Sequence, residues 1–133
     1  MLKMNKVHTK YLRMMHPWLF KVRVDCGDGW FTLLKELGQK LVCLQKRSKI
    51  SITTTQIKEK FGGLRFYYVE SSKEPYQIGS PRNIWSGIIA DVVHRAEERS
   101  TTICEHCGNY GEIKSKHGWL TCLCDKCRKK MKK

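Results

Sequence analysis

The sequence predicts an α+β fold in which a helix, a β-hairpin and a second helix form the core and a cysteine-rich module follows. Three observations lead to this prediction. Two stretches carry apolar residues at helical spacing, two strand-like runs flank a pair of glycines, and two cysteine pairs lie near the C-terminus. With 133 residues, the chain has room for one compact core and a small appendage. We place the core with a basic N-terminal segment at residues 1–102, and the module with a Lys-rich end at residues 103–133.

The first helix is predicted over residues 30–47. Its apolar side chains recur every three or four positions and so form one face, made of Trp30, Leu33, Leu34, Leu37, Leu41 and Leu44. Asp28 is predicted to cap the N-terminus of this helix, because an aspartate carboxylate accepts hydrogen bonds from the first free backbone N–H groups. The helix therefore supplies one wall of the core.

The β-hairpin is predicted from two runs rich in β-branched and aromatic residues, 50–57 and 64–69, on either side of Gly62 and Gly63. With the glycines as a two-residue turn, one face is apolar and the other is basic with one aromatic ring. The apolar face then pairs Phe61 with Leu64 and Ile57 with Tyr68, and the basic face pairs Lys60 with Arg65 and Lys58 with Tyr67.

Glu59 is the exception in this hairpin pattern. It falls on the apolar face opposite Phe66, where an unpartnered carboxylate is costly to bury. Either a β-bulge or a buried cationic partner would resolve the conflict, and the sequence does not distinguish the two.

The second helix is predicted over residues 81–99. Ser80 suits the N-cap and Pro81 suits the first helical position, where no backbone N–H is needed. An apolar stripe two residues wide follows, formed by Ile84, Trp85, Ile88, Ile89, Val92, Val93 and Ala96. This helix therefore packs one face against the core.

The last part of the chain contains two Cys-x2-Cys pairs, Cys104 with Cys107 and Cys124 with Cys127, separated by sixteen residues. Each spacing lets a tight turn direct two sulfurs to one point, and both pairs together supply the four thiolates of a structural zinc site. Gly108 fits the first turn, where a Cβ would obstruct the backbone. Four thiolates leave no open position for a reactive water, so we expect Zn²⁺ as a structural cofactor. A redox-active or metal-free set of thiols is the alternative.

A cysteine turn, a short hairpin and a terminal helix, in that order, predict a treble-clef-like zinc finger. Residues 110–113 and 118–121 form the hairpin strands, and the second cysteine pair lies in the first turn of the helix. The spacing leaves three rival ligands open, namely Cys122, His106 and His117. Cys26 and Cys43 have no partner at metal-site spacing and are predicted to be buried small apolar groups.

Positive charge is concentrated at the two ends of the chain. The sequence has 26 Lys and Arg against 12 Asp and Glu, a formal net charge of +14. Residues 1–24 and residues 126–133 each contain six bases and no acid, so the middle is close to neutral and the ends are predicted to be solvated. Such ends suit an anionic surface. The candidate contact residues are Lys58, Lys60, Arg65 and Tyr67 on the hairpin, and Lys126, Arg128, Lys129, Lys130, Lys132 and Lys133 at the C-terminus.

Other function classes find little support in the sequence. No acid pair, glycine-rich loop or Ser–His or Cys–His arrangement forms a catalytic motif, so we expect neither an enzyme nor a small-molecule substrate. No apolar run approaches the roughly 20 residues of a membrane span, and the N-terminus lacks the features of a secretory signal. A cytoplasmic location is therefore predicted, in which the seven cysteines stay reduced and available to metal.

Several ordered segments form a pattern that extends over most of the chain. They are residues 17–20 (Pro-Trp-Leu-Phe), 26–30 (Cys-Gly-Asp-Gly-Trp), 56–67 (with Lys-Glu-Lys-Phe-Gly-Gly-Leu-Arg-Phe-Tyr), Ala96-Glu97 with Ser100, 104–108 (Cys-Glu-His-Cys-Gly), Gly118-Trp119 and Cys124. The pattern resembles a family of small phage and prophage zinc-binding proteins of unassigned function. The resemblance implies a mobile-element origin and a bacterial cytosol, and it implies no reaction. That family often has His at the last metal position, where this chain has Cys127, and the loop 70–82 and the Lys-rich end depart from its pattern.

Two functions from different classes are therefore expected. The first is a phage-derived, zinc-stabilised nucleic-acid-binding protein without catalytic activity, in which cations meet phosphates and Tyr67 stacks on a base. The alternative is a phage-encoded inhibitor of a host defence system, for example an anti-CRISPR protein that binds a Cas nuclease or its guide RNA. Its partner would then be a host nucleic-acid-binding protein. The sequence is silent on oligomeric state and on DNA versus RNA.

Overall fold

The helix, hairpin and helix of the predicted core are all present, together with the cysteine-rich module. A computed structural model describes residues 2–74 and 77–131 and confirms the mixed α+β class. The elements in chain order are α1 (Lys6–Met15), β1 (Val24–Asp25), a 3₁₀ turn (Asp28–Trp30), α2 (Phe31–Ser48), β2 (Ser51–Lys60), β3 (Gly63–Ser71), α3 (Pro81–Ser100), β4 (Glu112–Lys116), β5 (Trp119–Leu123) and α4 (Asp125–Lys130). Lys132 and Lys133, two predicted contact residues, lie outside the described residues. None of the helices in the described ranges is long and apolar enough to cross a bilayer.

The core is a three-stranded sheet whose one face packs against α2 and α3. Strand β1 runs parallel to β2, and β2 runs antiparallel to β3. Ile57, Leu64 and Phe66 of the hairpin are buried in the same cluster as the apolar faces of both helices. The buried helical residues include Leu33, Leu34, Leu37, Leu41, Ile89 and Val93. On the opposite face of the sheet, which we call the outer face, Tyr67 and Val69 are exposed.

The predicted register of the hairpin is wrong, although the faces of the paired strand residues are assigned correctly. Phe61, predicted on the apolar face, lies in the turn and is 64% exposed. The turn consists of Phe61 and Gly62, with φ of 55° and 85°, so Lys60 pairs with Gly63. Positive φ at both central residues is typical of the hairpin turns that match strand twist. Between the bulge and the turn, each residue of β2 consequently faces a partner two positions earlier in β3 than predicted: Lys58 pairs with Arg65, Ile57 with Phe66 and Gln56 with Tyr67. Because a shift of two preserves the alternation of side chains, the cationic residues still share the outer face.

Neither of the two solutions predicted for Glu59 is the one found. A β-bulge is present between Thr54 and Gln56, but it lies four residues before Glu59 and leaves that side chain next to the core. The carboxylate accepts a hydrogen bond from the backbone N–H of Gly62, at 2.7 Å. Glu59 therefore stabilises the hairpin turn, and its partner is a backbone donor where a cation was expected.

Asp28 does not cap α2, and this prediction is also wrong. A 3₁₀ turn separates it from the helix, whose N-cap position is Trp30 without a side-chain cap. The Asp28 carboxylate instead accepts a 2.6 Å hydrogen bond from the backbone N–H of Asn5 and lies 3.0 Å from Nδ1 of His8. Asp28 thus fixes the start of α1.

The N-terminal segment is folded, whereas its charge predicted a solvated end. Asn5 caps α1 by accepting a hydrogen bond from the backbone N–H of His8, at 2.8 Å. Leu12, Leu19 and Phe20 are fully buried in the main core. The bases of this segment remain on the surface. The buried apolar residues of this segment therefore form part of the core, whereas its basic side chains lie on the surface.

Helix α3 begins as predicted, with Ser80 accepting a hydrogen bond from the backbone N–H of Asn83. Near its C-terminus, two side chains bind the free edge of β3. The Ser100 hydroxyl accepts from the N–H of Leu64 at 2.8 Å, and the Glu97 carboxylate accepts from the N–H of Phe66 at 2.9 Å. Helix α3 therefore holds the hairpin by polar contacts as well as by its apolar stripe.

Candidate metal centre

The four cysteines of the two predicted pairs come together in space. The sulfurs of Cys104, Cys107, Cys124 and Cys127 all lie within 4.8 Å of one another, and those of Cys107 and Cys124 are 3.7 Å apart. Cys104 and Cys127 are buried, while Cys107 is exposed. Four sulfurs this close can hold one metal ion.

The first cysteine pair lies in a tight turn. A single antiparallel β-bridge between Ile103 and Tyr110 closes this turn at its base. Cys104 donates its backbone N–H to the carbonyl of Asn109 at 2.7 Å, and its own carbonyl accepts from the N–H of Gly108 at 2.9 Å. Gly108 has φ of 85°, a left-handed conformation that a residue with a Cβ adopts only with strain. The glycine in the Cys-x2-Cys-Gly pattern is therefore required by the turn.

The second cysteine pair lies at the start of α4, as predicted. Cys124 occupies the N-cap position, and its sulfur accepts a hydrogen bond from the backbone N–H of Cys127 at 3.4 Å. In the metal-free protein this N–H group is the main cause that lowers the pKa of Cys124 to about 7. Since metal ions bind thiolates, the helix start favours the ligand form of this cysteine.

A short hairpin, formed by β4 and β5, connects the two pairs. The predicted hairpin is confirmed, with strands that begin and end one to three residues later than expected. Its turn consists of His117 and Gly118, with φ of 53° and 81°. The predicted order of cysteine turn, hairpin and helix is therefore the observed order.

The rival ligands do not join the four sulfurs. Cys122 is buried on the other side, with its sulfur 3.3 Å from the carbonyl oxygens of Thr101 and Ile103, and burial raises its pKa to about 11. The His106 ring is a neighbour of the cluster, with Nδ1 3.4 Å from the sulfur of Cys127. His117 lies in the hairpin turn. The group of ligand atoms found among residues 2–74 and 77–131 contains only the four cysteines.

The two cysteines without a motif differ from each other. Cys26 is fully buried, as predicted, and burial raises the pKa of its thiol. Cys43 is exposed, so the prediction that it is buried is wrong. It follows the buried Leu41 by two residues, which is about 200° around the helix and places it away from the core.

The cysteine turn is joined to the core through Glu105. The buried carboxylate of Glu105 accepts a hydrogen bond from the backbone N–H of Gly27 at 2.9 Å, and its carbonyl accepts from the N–H of Gly29 at 2.8 Å. The indole of Trp30 donates to the carbonyl of Ile103 at 2.9 Å. These contacts pack residues 26–30 against residues 104–108. Both segments belong to the sequence pattern described above, which gave no physical reason for their connection.

Backbone atoms approach so closely at this junction that side chains are excluded. A Cβ on Gly29 would overlap with the carbonyl oxygen of Cys104, and one on Gly27 would overlap with the carbonyl of Glu105. Burial raises the pKa of Glu105 to about 7; the N–H of Gly27 opposes this shift, and the nearby Glu59 adds to it. The two glycines of the core thus allow the backbone of the cysteine turn to pack directly against residues 27–29.

The predicted hairpin contact residues share the outer face of the sheet. The ammonium of Lys58 lies 5.9 Å from the ring centroid of Tyr67, whose side chain is 39% exposed. Lys60 extends over the ring of Phe61, at 5.5 Å. Arg65 donates to the carbonyl of Leu64 at 3.0 Å and keeps the rest of its guanidinium available. The sequence pattern missed Phe61 as part of this surface because it placed that ring in the core.

The C-terminal bases have different roles in the structure. Lys126 and Lys130 line a cleft beside Cys107, Cys124 and Cys127, where positive charge offsets that of thiolates. Arg128 instead binds the hairpin and donates to the Thr121 hydroxyl at 3.0 Å and to the carbonyl of Glu112 at 2.8 Å. Arg128 therefore fixes α4 on the β4–β5 hairpin, a structural role that its place in a basic run did not indicate.

A comparison of the chain with protein-family models, curated protein sequences and solved structures found no match in any of the three.

Proposed function

We propose that the four cysteines bind one zinc ion in a treble-clef-like finger, and that the ion is structural. Four soft thiolate donors favour zinc, and thiolates placed tetrahedrally at about 2.3 Å from the metal lie about 3.8 Å apart. The 3.7 Å between the sulfurs of Cys107 and Cys124 agrees with that geometry. Because the four cysteines fill a tetrahedral shell, the ion has no position for a substrate or an activated water, which supports a role without catalysis.

We further propose that the protein binds nucleic acid. The observation that supports this function best is the outer face of the sheet, which three cations share with an exposed tyrosine ring: Lys58, Lys60, Arg65 and Tyr67. Of these cations, Lys58 lies nearest to the ring, at 5.9 Å from its centroid. Cations that attract phosphates and a ring that stacks on a base are the two elements of sequence-tolerant nucleic-acid binding. The formal net charge of +14 adds long-range attraction to the same partner.

The test is the salt dependence of binding by the full, metal-loaded chain. Each phosphate contact contributes about 0.9 to the slope of log affinity against log salt on duplex DNA. Replacement of Lys58, Lys60 and Arg65 by Ala should therefore reduce the slope by about 3. Lys40→Ala, Lys46→Ala and Arg47→Ala together remove the same charge from the exposed surface of α2 and form the matched control. Equal slopes for both triple variants would refute a role for the outer face.

A second candidate function is inhibition of a host defence protein, in line with the phage-family resemblance. One observation favours it. Ile84 and Ile88 lie one turn apart on α3 and are 57% and 40% exposed, so α3 presents apolar surface suited to a protein partner. A partner that survives nuclease treatment in a pull-down, and that is lost with Ile84→Asn plus Ile88→Asn, would support inhibition. Loss of all partners on nuclease treatment would support nucleic-acid binding.

A further inference from the structure

A groove lies in the cysteine-rich module, between α4 and one face of the β4–β5 hairpin. It has a volume of about 650 Å³, within the range of about 300–1,000 Å³ that ligand sites occupy. The paired residues Lys116 and Trp119 and the paired residues Lys114 and Thr121 share this face of the hairpin. Met131, after α4, completes the groove. The opposite face of the hairpin carries the buried Cys122.

Trp119 is the unusual side chain of this groove. Its indole is 65% exposed, although tryptophan is one of the large aromatic side chains that gain most from burial. Met131, 44% exposed, borders the same space. The groove therefore offers a flat aromatic ring with an apolar neighbour and no protein group among the described residues that covers them.

The charges around Trp119 favour an anionic occupant. Lys114, Lys116 and Lys129 line the groove, and the acid among the lining residues is Asp125. Asp125 lies 3.7 Å from Lys114, so its charge is partly offset. An exposed aromatic ring among lysines is the arrangement that binds a nucleobase by stacking and its phosphates by charge.

We propose that this groove, which we call the Trp119 groove, binds single-stranded nucleic acid, with an unpaired base stacked on the Trp119 indole. The proposal rests on the nucleic-acid-binding function proposed above and assigns it a second site. A base in a duplex has both faces occupied by its neighbours, so it stacks on Trp119 only when the strand is single or the base is unstacked. The Trp119 groove therefore provides preference for single strands, which phosphate contacts alone do not.

The metal centre determines the shape of the Trp119 groove. One wall is α4, which is held by Cys124 and Cys127 at its start and by Arg128 against the hairpin. The hairpin in turn contacts the core, because the side chain of Ile113 lies against Gly62 in the turn between β2 and β3. The outer face of the sheet and the Trp119 groove thus belong to adjoining hairpins.

The test measures the affinity of the full, metal-loaded chain for oligothymidylate of about 12 nucleotides and for a duplex of equal length. Stacking on an aromatic ring contributes about 1–3 kcal/mol, so Trp119→Ala should weaken oligothymidylate binding by about five- to 150-fold and leave duplex binding unchanged. Trp119→Phe, which keeps a ring, should recover most of the loss. Trp18→Ala, which removes another exposed indole outside the module, is the matched control and should bind like the parent chain.

Each outcome distinguishes this proposal from the function on which it rests. If the parent chain binds both probes and Trp119→Ala binds them equally well, the groove proposal is refuted and nucleic-acid binding stands. An equal loss for both probes also refutes it, because stacking on an unpaired base cannot weaken duplex binding. If the parent chain binds neither probe, nucleic-acid binding itself is refuted. Tighter, Trp119-dependent binding of a poly-glutamate peptide would overturn the proposal in favour of an acidic protein partner. Unchanged zinc content and circular dichroism show that each variant is folded.

Discussion

The core and the cysteine-rich module are stabilised by different forces. The main cluster of buried apolar residues contains side chains from both long helices, the hairpin and the N-terminal segment. In the module the buried cluster consists of Cys104, Leu123 and Cys127, with Leu2 and Cys124 packed beside it, and every residue of β4 is exposed. Burial at about 25 cal/mol per Å² can therefore stabilise the core but not the module. The module therefore depends on hydrogen bonds to the core and on the metal ion that we propose its four cysteines bind.

The largest expected effect is metal loss. Because structural zinc contributes about 10–16 kcal/mol of apparent binding energy in small zinc domains, chelation or Cys104→Ser should unfold the module and leave the core folded. Hydrogen exchange measures this directly: amides of β4, β5 and α4 should lose protection while those of α2 and α3 keep it. Cys43→Ser, at an exposed cysteine outside the metal set, is the control and should change nothing. Simultaneous loss of protection in both regions would show that they unfold as one unit.

A cavity in the core should have the next largest effect. Leu34 is fully buried, so Leu34→Ala should lower the free energy of unfolding by about 2–5 kcal/mol. Denaturant unfolding measures this loss, and metal content should stay at one ion per chain. Ile84→Ala, at a mostly exposed position, should cost less than about 0.5 kcal/mol. A loss of metal from Leu34→Ala under native conditions would contradict the independence of the module from core packing.

A single methyl group added at the junction between the core and the module should destabilise the protein. A Cβ on Gly29 meets the carbonyl oxygen of Cys104, so Gly29→Ala should destabilise the protein by about 1–3 kcal/mol and weaken zinc binding in competition with a chelator. Gly87→Ala is the matched control, because a Cβ there meets no atom within 4 Å, and alanine favours the helix. If Gly29→Ala left zinc affinity unchanged, the junction would not position the ligands.

The smallest expected effect is a pH dependence specific to the core. Burial lowers the pKa of His16 from its ordinary value of 6.5, and its backbone lies at the end of α1. The unfolded chain therefore binds a proton at His16 at a higher pH than the folded chain does. The contribution of His16 to the free energy of unfolding is consequently fully present above pH 6.5 and is lost as the pH falls towards the folded-state pKa. The difference in unfolding free energy between the parent chain and His16→Gln should change between pH 6.5 and the lower folded-state pKa of His16.

The sequence alone was sufficient where a residue's role depends on its near neighbours. The cluster of four cysteines follows from Cys-x2-Cys spacing, and the start of α3 follows from Ser80 and Pro81, because a turn or a cap involves only adjacent residues. Both long helices agree with their predicted bounds to within one residue at each end. Apolar periodicity over four or five turns is a strong local signal of this kind.

The sequence failed where a residue's partner lies far along the chain. Asp28 resembles a cap for α2, yet its partner is Asn5, 23 residues earlier. Glu105 lies 78 residues from Gly27, and no local sequence pattern around either residue predicts the hydrogen bond between them. The hairpin register changed because Phe61 adopts a positive φ, which a composition-based choice of Gly62 and Gly63 did not consider. The sequence indicates Trp119 only as part of the family-like pattern, because the solvent exposure of a side chain is not visible in a sequence.

The hydrogen bonds from β3 to α3 have a consequence for how this protein behaves at high concentration. An unpaired strand edge recruits strands of other molecules, and the backbone N–H groups of Leu64 and Phe66 already donate to Ser100 and Glu97. The other edge of the sheet is β1, only two residues long. These two bonds shorten the row of free amides on the β3 edge, so we expect this edge to resist the intermolecular β-pairing that leads to fibrils.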